Sequence, residues 1–172
     1  MQLAEFFSSQ PNRLWHLAKQ MNVNYAVGGL PWEEKSEKPW DLMPLIRMKQ
    51  RYADFGLTLS VIESMPPSNN IKLGTPGRDE EIEIFQQFIV NMGAAGIPVL
   101  CYNFMAQFNW FRTSTTTRTR GGALVSSYDH SLMADAPLTE AGIVTEAQLW
   151  ENLHYFLEKI VPEFLAIDEW LP

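Results

Sequence analysis

The sequence predicts an α/β protein assembled from parallel βα units, about four in number. Short runs rich in Val, Ile, Leu and Tyr alternate with longer stretches whose apolar residues recur at three and four. Met21-Asn22-Val23, Phe55-Gly56-Leu57 and Ala95-Gly96-Ile97 each put a residue suited to left-handed backbone between a helix and a strand. The stretch Gly96 to Thr113, GIPVLCYNFMAQFNWFRT, turns abruptly from apolar to polar at Asn103. A buried parallel strand reads this way when it delivers polar groups to a ligand at its C-terminal end. Ile97, Val99, Leu100, Cys101 and Tyr102 are apolar on both faces, so cover on both faces is expected.

Taken in order, Gln2–Phe7 is a candidate short strand. Pro11 stands where helices start, and Leu14, Leu17, Ala18 and Met21 share one helical stripe. Asn22 closes that helix, and Val23–Leu30 follows as a strand ending in Gly28-Gly29, where backbone can approach backbone or ligand closely. Pro31–Pro39 is a polar loop. A second helix carries Leu42, Leu45, Ile46, Tyr52 and Ala53 at core spacing, and Gly56 ends it. Leu57–Ile62 is the next strand, switching to polar at Glu63-Ser64. The residues from there to Gly77 read as loop. Asp79, Glu80 and Glu81 suit the positive end of a third helix, whose inner face is Ile82, Phe85, Ile89 and Met92.

From Met105 to Val144 no regular element is expected, so 1–172 reads as one domain with a long loop at about 105–144. Thr145 and Gln148 form a capping box. Leu149, Leu153, Phe156, Leu157 and Ile160 face inward on a fourth helix, which Pro162 is expected to stop. In the tail, Phe164, Leu165, Ile167, Trp170 and Leu171 are apolar enough to fold back on a sheet edge. A complete eight-unit barrel needs about 250 residues, so 172 residues suit an open sheet or about half of a barrel.

The composition is globular: 46% hydrophobic and 19% charged, with net charge −7 and pI near 4.9. That charge argues against nucleic acid and against an anionic membrane surface as partners. The lone cysteine, Cys101, has no internal disulfide partner, and its apolar setting predicts a buried thiol. With no basic leader and no apolar run of spanning length, a cytoplasmic location is expected.

VIESMP (Val61–Pro66), CYNFM (Cys101–Met105) and W-x-R-T (Trp110, Arg112, Thr113), with NIKLGTPGRDEEI from Asn70, resemble the mannonate dehydratase family in order and spacing. The resemblance runs from about Asn24 to Pro162. It implies a xylose-isomerase-like TIM barrel, a (β/α)8 fold of which this chain would form the N-terminal half. It also implies a lyase that uses divalent Mn or Fe to remove water from D-mannonate, giving 2-keto-3-deoxy-gluconate in hexuronate breakdown. In the family the metal ligands are histidines, a cysteine and an acidic residue on later strands. Cys101 is not that cysteine, so no metal ligand and no catalytic residue is carried over. Asn109 stands where the family has an aspartate.

Glu63, Asn103, Trp110 and Arg112 are the candidate substrate-binding residues, all near strand ends that face a barrel mouth. Glu63 would meet substrate or pair with a nearby cation. Asn103 would bond a sugar hydroxyl or tie down its loop. Arg112 would fork onto a carboxylate or brace the loop, and Trp110 would form a wall. His16, His130 and His154 lack metal-ligand spacing, and Ser114–Gly122 lacks the lysine and context of a phosphate loop. A second class of function is a non-catalytic half-barrel that binds a sugar acid or a protein through its open edge. A third is an open-sheet enzyme using Glu63 with Asp129 or His130. Either a homo-oligomer or a missing C-terminal half would cover the exposed strand edge.

Overall fold

The computed structural model describes residues 2–34, 37–108 and 110–168. Asn109, Trp170 and Leu171 lie outside them, as does the Ile167 side chain. Four parallel strands stand in chain order: β1 (Ala4–Phe7), β2 (Tyr25–Gly28), β3 (Thr58–Glu63) and β4 (Val99–Cys101). Helices α1 (Arg13–Gln20), α2 (Leu42–Asp54) and α4 (Arg78–Ala94) connect them, and α5 (Glu146–Asp168) follows. Sequential parallel strands joined by helices are the βα repeat that the junctions predict. Asn22, Gly56 and Gly96 have φ of 58°, 78° and 64°, the left-handed caps expected at those turns.

One face of the sheet packs on the helices. Phe7, Ala26, Leu59 and Ile62 meet Trp15, Leu45, Met48, Tyr52, Phe88 and Met92 there. Trp15 stacks on Tyr52 with ring centroids 4.3 Å apart. The Tyr52 hydroxyl donates towards the Ser8 carbonyl at 3.0 Å, and burial pushes its pKa up. A Cβ on Gly28 would come 3.0 Å from both that hydroxyl and Leu59 Cδ1, so glycine is what lets β2 lie so close. A second cluster, Ile71, Ile82, Phe85, Ile89, Phe156 and Ile160, joins α4 to α5.

The other face of the sheet is thinly covered. Val99 is 46% exposed, Phe6 is 49% exposed, and Cys101 is exposed. This corrects the expected cover on both faces and the expected buried thiol. A barrel fills its interior with side chains from all its strands, and four strands supply only part of that filling. Both β1 and β4 have one unpaired edge among the described residues.

Several further expectations are corrected. In α1 the inward residues are Trp15 and Ala18, while Leu14, Leu17 and Met21 are exposed. In α2 Met48 is buried and Ile46 and Ala53 are outside. The stretch read as loop before Gly77 contains a short helix, α3 (Asn69–Leu73). Its start is held from a distance, since Glu81 accepts from Ile71 N at 3.1 Å and Asn70 Nδ2 at 2.9 Å. The 105–144 stretch contains an antiparallel hairpin, β5 (Ser114–Arg118) with β6 (Leu124–Ser127). Pro162 does not stop α5, which runs on to Asp168. It sits on the exposed side, where the Glu158 carbonyl it leaves without a donor can bond water, and the neighbouring Lys159 carbonyl accepts from Gln86 at 2.9 Å.

The capping box is as expected. Gln148 N donates to Thr145 Oγ1 at 3.2 Å, and Thr145 N donates to Gln148 Oε1 at 2.9 Å.

Candidate functional site at the strand ends

The parallel strands direct their C-terminal ends to one side, where ligands of such sheets bind. Glu63 and Cys101 end β3 and β4 as register partners. Just beyond lies an open cleft of about 420 Å3 lined by Trp32, Glu63, Ser64, Met65, Cys101, Tyr102, Asn103 and Trp110. Three of the four residues singled out from sequence, Glu63, Asn103 and Trp110, therefore border one cavity.

Arg112 is not among the lining residues. Its Nε donates to Ser126 Oγ at 2.8 Å, a second nitrogen donates to the Trp110 carbonyl, and the guanidinium lies 5.5 Å from the Trp110 ring centroid. It ties the tryptophan to β6. Trp110 itself has φ of 37° and is 66% exposed, a backbone conformation uncommon for a bulky residue. Trp32, also in the lining, lies edge-on to Trp40 at 5.8 Å. Tyr102, another lining residue, packs on Phe156 at 5.7 Å, and its burial raises the phenol pKa.

Sequence reasoning missed Lys72. It is 4% exposed, and its Nζ donates to Asn103 Oδ1 at 3.1 Å. Burial lowers its pKa, partly offset by the charge of Glu81. A lysine in a polar stretch reads as solvated; the one signal was its place in the NIKLG motif. Trp32 was missed too, because it lay in a segment read only as a polar loop. That loop is anchored: Glu34 pairs with Arg51 at 2.7 Å and Arg47 at 3.0 Å. Burial pushes the Glu34 carboxyl up, but the bonds from Arg51 and Arg47 outweigh it and hold the group below the usual carboxylate range.

The histidines stand apart. His16 packs edge-on to Phe55 at 4.8 Å, His130 lies 3.2 Å from the Tyr128 hydroxyl, and His154 pairs with Glu158 at 3.5 Å. Among the described residues no group of three or more His, Cys, Asp or Glu can hold a metal ion. They do not fit the divalent Mn or Fe site that the family resemblance implies.

The model of the D-mannonate dehydratase family matches residues 13–143. The chain belongs to the mannonate dehydratase family. It is 31% identical to mannonate dehydratase 1 of Bacillus licheniformis, over 79% of this chain and 46% of the relative. With the mannonate dehydratase of Streptococcus pneumoniae it shares 36% identity over 72% of this chain and 40% of that one. The crystal structure of the mannonate dehydratase of Streptococcus suis serotype 2 superposes with a TM-score of 0.83 at 28% identity, covering 97% of this chain and 51% of that chain. The chain thus spans about half the length of the mannonate dehydratases it matches. Four parallel strands alternating with helices form part of a TIM-barrel-like fold.

Proposed function

We propose that this chain forms the N-terminal half of a sugar-acid hydro-lyase that removes water from D-mannonate to give 2-keto-3-deoxy-gluconate in cytoplasmic hexuronate breakdown. The observation that carries this reading is the cleft that gathers Glu63, Asn103 and Trp110 at the strand ends, in a chain of the mannonate dehydratase family. A sugar acid offers hydroxyls and one carboxylate. Glu63 accepts from a hydroxyl, Asn103 bonds an oxygen, and the Trp110 and Trp32 faces cover the carbon chain and exclude water. Arg112 keeps Trp110 in place from outside the cleft.

Dehydration of D-mannonate takes the proton from C2 and breaks the bond from C3 to its hydroxyl. The described residues serve binding in this scheme. Donors for Mn or Fe, and the groups that move protons, come from strands beyond the β4 edge, supplied by a second half. The test is a D-mannonate dehydration assay with added Mn2+, on the chain alone and mixed with the C-terminal half of the Thermotoga neapolitana mannonate dehydratase. Turnover only in the mixture is expected. Turnover by the chain alone would overturn the division of labour, and turnover in neither would count against the lyase reading.

A second reading is a half-barrel that binds a partner without chemistry. The edges of β1 and β4 left unpaired among the described residues, with Phe6 and Val99 exposed beside them, favour it. A folded partner complex that binds D-mannonate and releases no product would select it.

A further inference from the structure

Lys72 stands out because nothing in the packing accounts for its charge. Buried lysines are rare unless paired, yet Lys72 makes no ion pair among the described residues. Glu81 acts on it through charge alone, its own oxygens being taken by Ile71 N and Asn70 Nδ2. The backbone around Lys72 is pinned as well: its carbonyl accepts from the buried Asn152 Nδ2 at 3.0 Å. Gly74, at φ of 66°, leaves room for that asparagine. A buried cation is thus held in place by α5 and by the turn after α3.

What the ammonium touches is Asn103. Two donors converge on one oxygen of that amide: Lys72 Nζ at 3.1 Å and Met105 N at 3.4 Å. An ammonium and a backbone N–H can only donate, so Oδ1 must face them. That leaves Nδ2, which has no acceptor among the described residues, as the end of the amide with donors to offer, on a residue that lines the cleft. The Lys72 ammonium sits on the oxygen of the same amide, in a medium where charges act more strongly than in water.

We propose that Lys72 is a positioning residue that locks Asn103 with its amide nitrogen towards the cleft and holds beside it a positive charge in contact with no carboxylate among the described residues, so that this wall takes the carboxylate end of a sugar acid. This rests on the sugar-acid reading above and adds to it the orientation of the ligand. A neutral polyol of the same length gains nothing from the buried charge, so the wall discriminates acid from alcohol.

The test uses the 172-residue chain as wild type, Lys72→Met and Lys72→Arg. Side-chain amide relaxation of Asn103 by NMR reads the positioning, and titration with D-mannonate and D-mannitol reads the discrimination. Asn103 should be ordered in wild type and mobile in Lys72→Met. Affinity for D-mannonate should fall on the order of tenfold while that for D-mannitol is unchanged, and Lys72→Arg should restore most of the loss. Lys72→Gln keeps a donor without the charge; it should preserve the order of Asn103 yet lose the preference for the acid, and it carries the test should Lys72→Met not fold.

An Asn103 equally ordered in folded Lys72→Met would overturn the proposal, as would equal losses for acid and alcohol. Binding of D-mannonate to no variant, with Asn103 order still lost in Lys72→Met, would overturn the sugar-acid reading and support the positioning role.

Discussion

The scaffold up to Ile97 and the excursion from Met105 to Val144 are built on opposite terms. In the scaffold, Trp15, Tyr52, Phe85 and Phe88 are fully buried, and each strand and helix shares in a core. In the excursion no described residue is buried; its hairpin is held by ladder bonds, by Thr113 N donating to the Ser127 carbonyl at 2.9 Å, and by contacts such as that between Thr117 and Ser127. The cleft straddles the two, with Glu63 at a strand end of the scaffold, Asn103 just past the β4 end that joins them, and Trp110 on the excursion. The buried core and the cleft wall at Trp110 are therefore separable here, as when a rigid frame carries an exposed loop.

The sharpest way to break that comparison is to strike the scaffold. Trp15→Ala removes a ring stacked on Tyr52 and should cost about 3–5 kcal/mol, read from urea unfolding. Next comes the buried charge. Lys72 has its folded pKa lowered by burial, so between that value and the ordinary 10.5 the unfolded chain binds the extra proton. Stability of wild type relative to Lys72→Met should therefore rise with pH through that window. Taking the difference removes the opposing contribution of Tyr52 and Tyr102, whose raised values favour the folded state below the ordinary phenol pKa. Smaller still, Thr145→Ala breaks the capping box of α5 and should cost about 1 kcal/mol, seen as a lower urea midpoint with unchanged slope. Trp110→Ala should change stability by no more than about 0.5 kcal/mol while weakening D-mannonate binding, measured by calorimetry. A large stability loss there would mean the excursion is part of the core.

The same contrast explains what could be read from the chain. The left-handed caps at Asn22, Gly56 and Gly96, the inner face of α4 and the Thr145–Gln148 box are local signals, and each is found in the structure. In α1 two apolar stripes compete. Leu14, Leu17, Ala18 and Met21 offer the longer one, of which only Ala18 is buried; the packing of Trp15 against Tyr52 decides, and that partner lies far along the chain. Helix α3 owes its start to the Glu81 side chain, a contact that spacing does not reveal. The hairpin strands carry Thr and Ser and bury no face, so no alternation announces them. At the cleft, strand-end position pointed to Glu63 and Asn103. Lys72 escaped because its burial comes from α3 and α5 closing over a stretch that reads as polar loop.

The central claim is that the strand ends of this half-barrel bind a sugar acid, and a titration of the isotope-labelled chain with D-mannonate followed by amide NMR tests it most directly. Saturable shifts confined to Trp32, Glu63–Met65, Cys101–Asn103 and Trp110 are the expected result. Shifts centred on the open edges at β1 and the outer side of β4, or none at all at millimolar ligand, would contradict it.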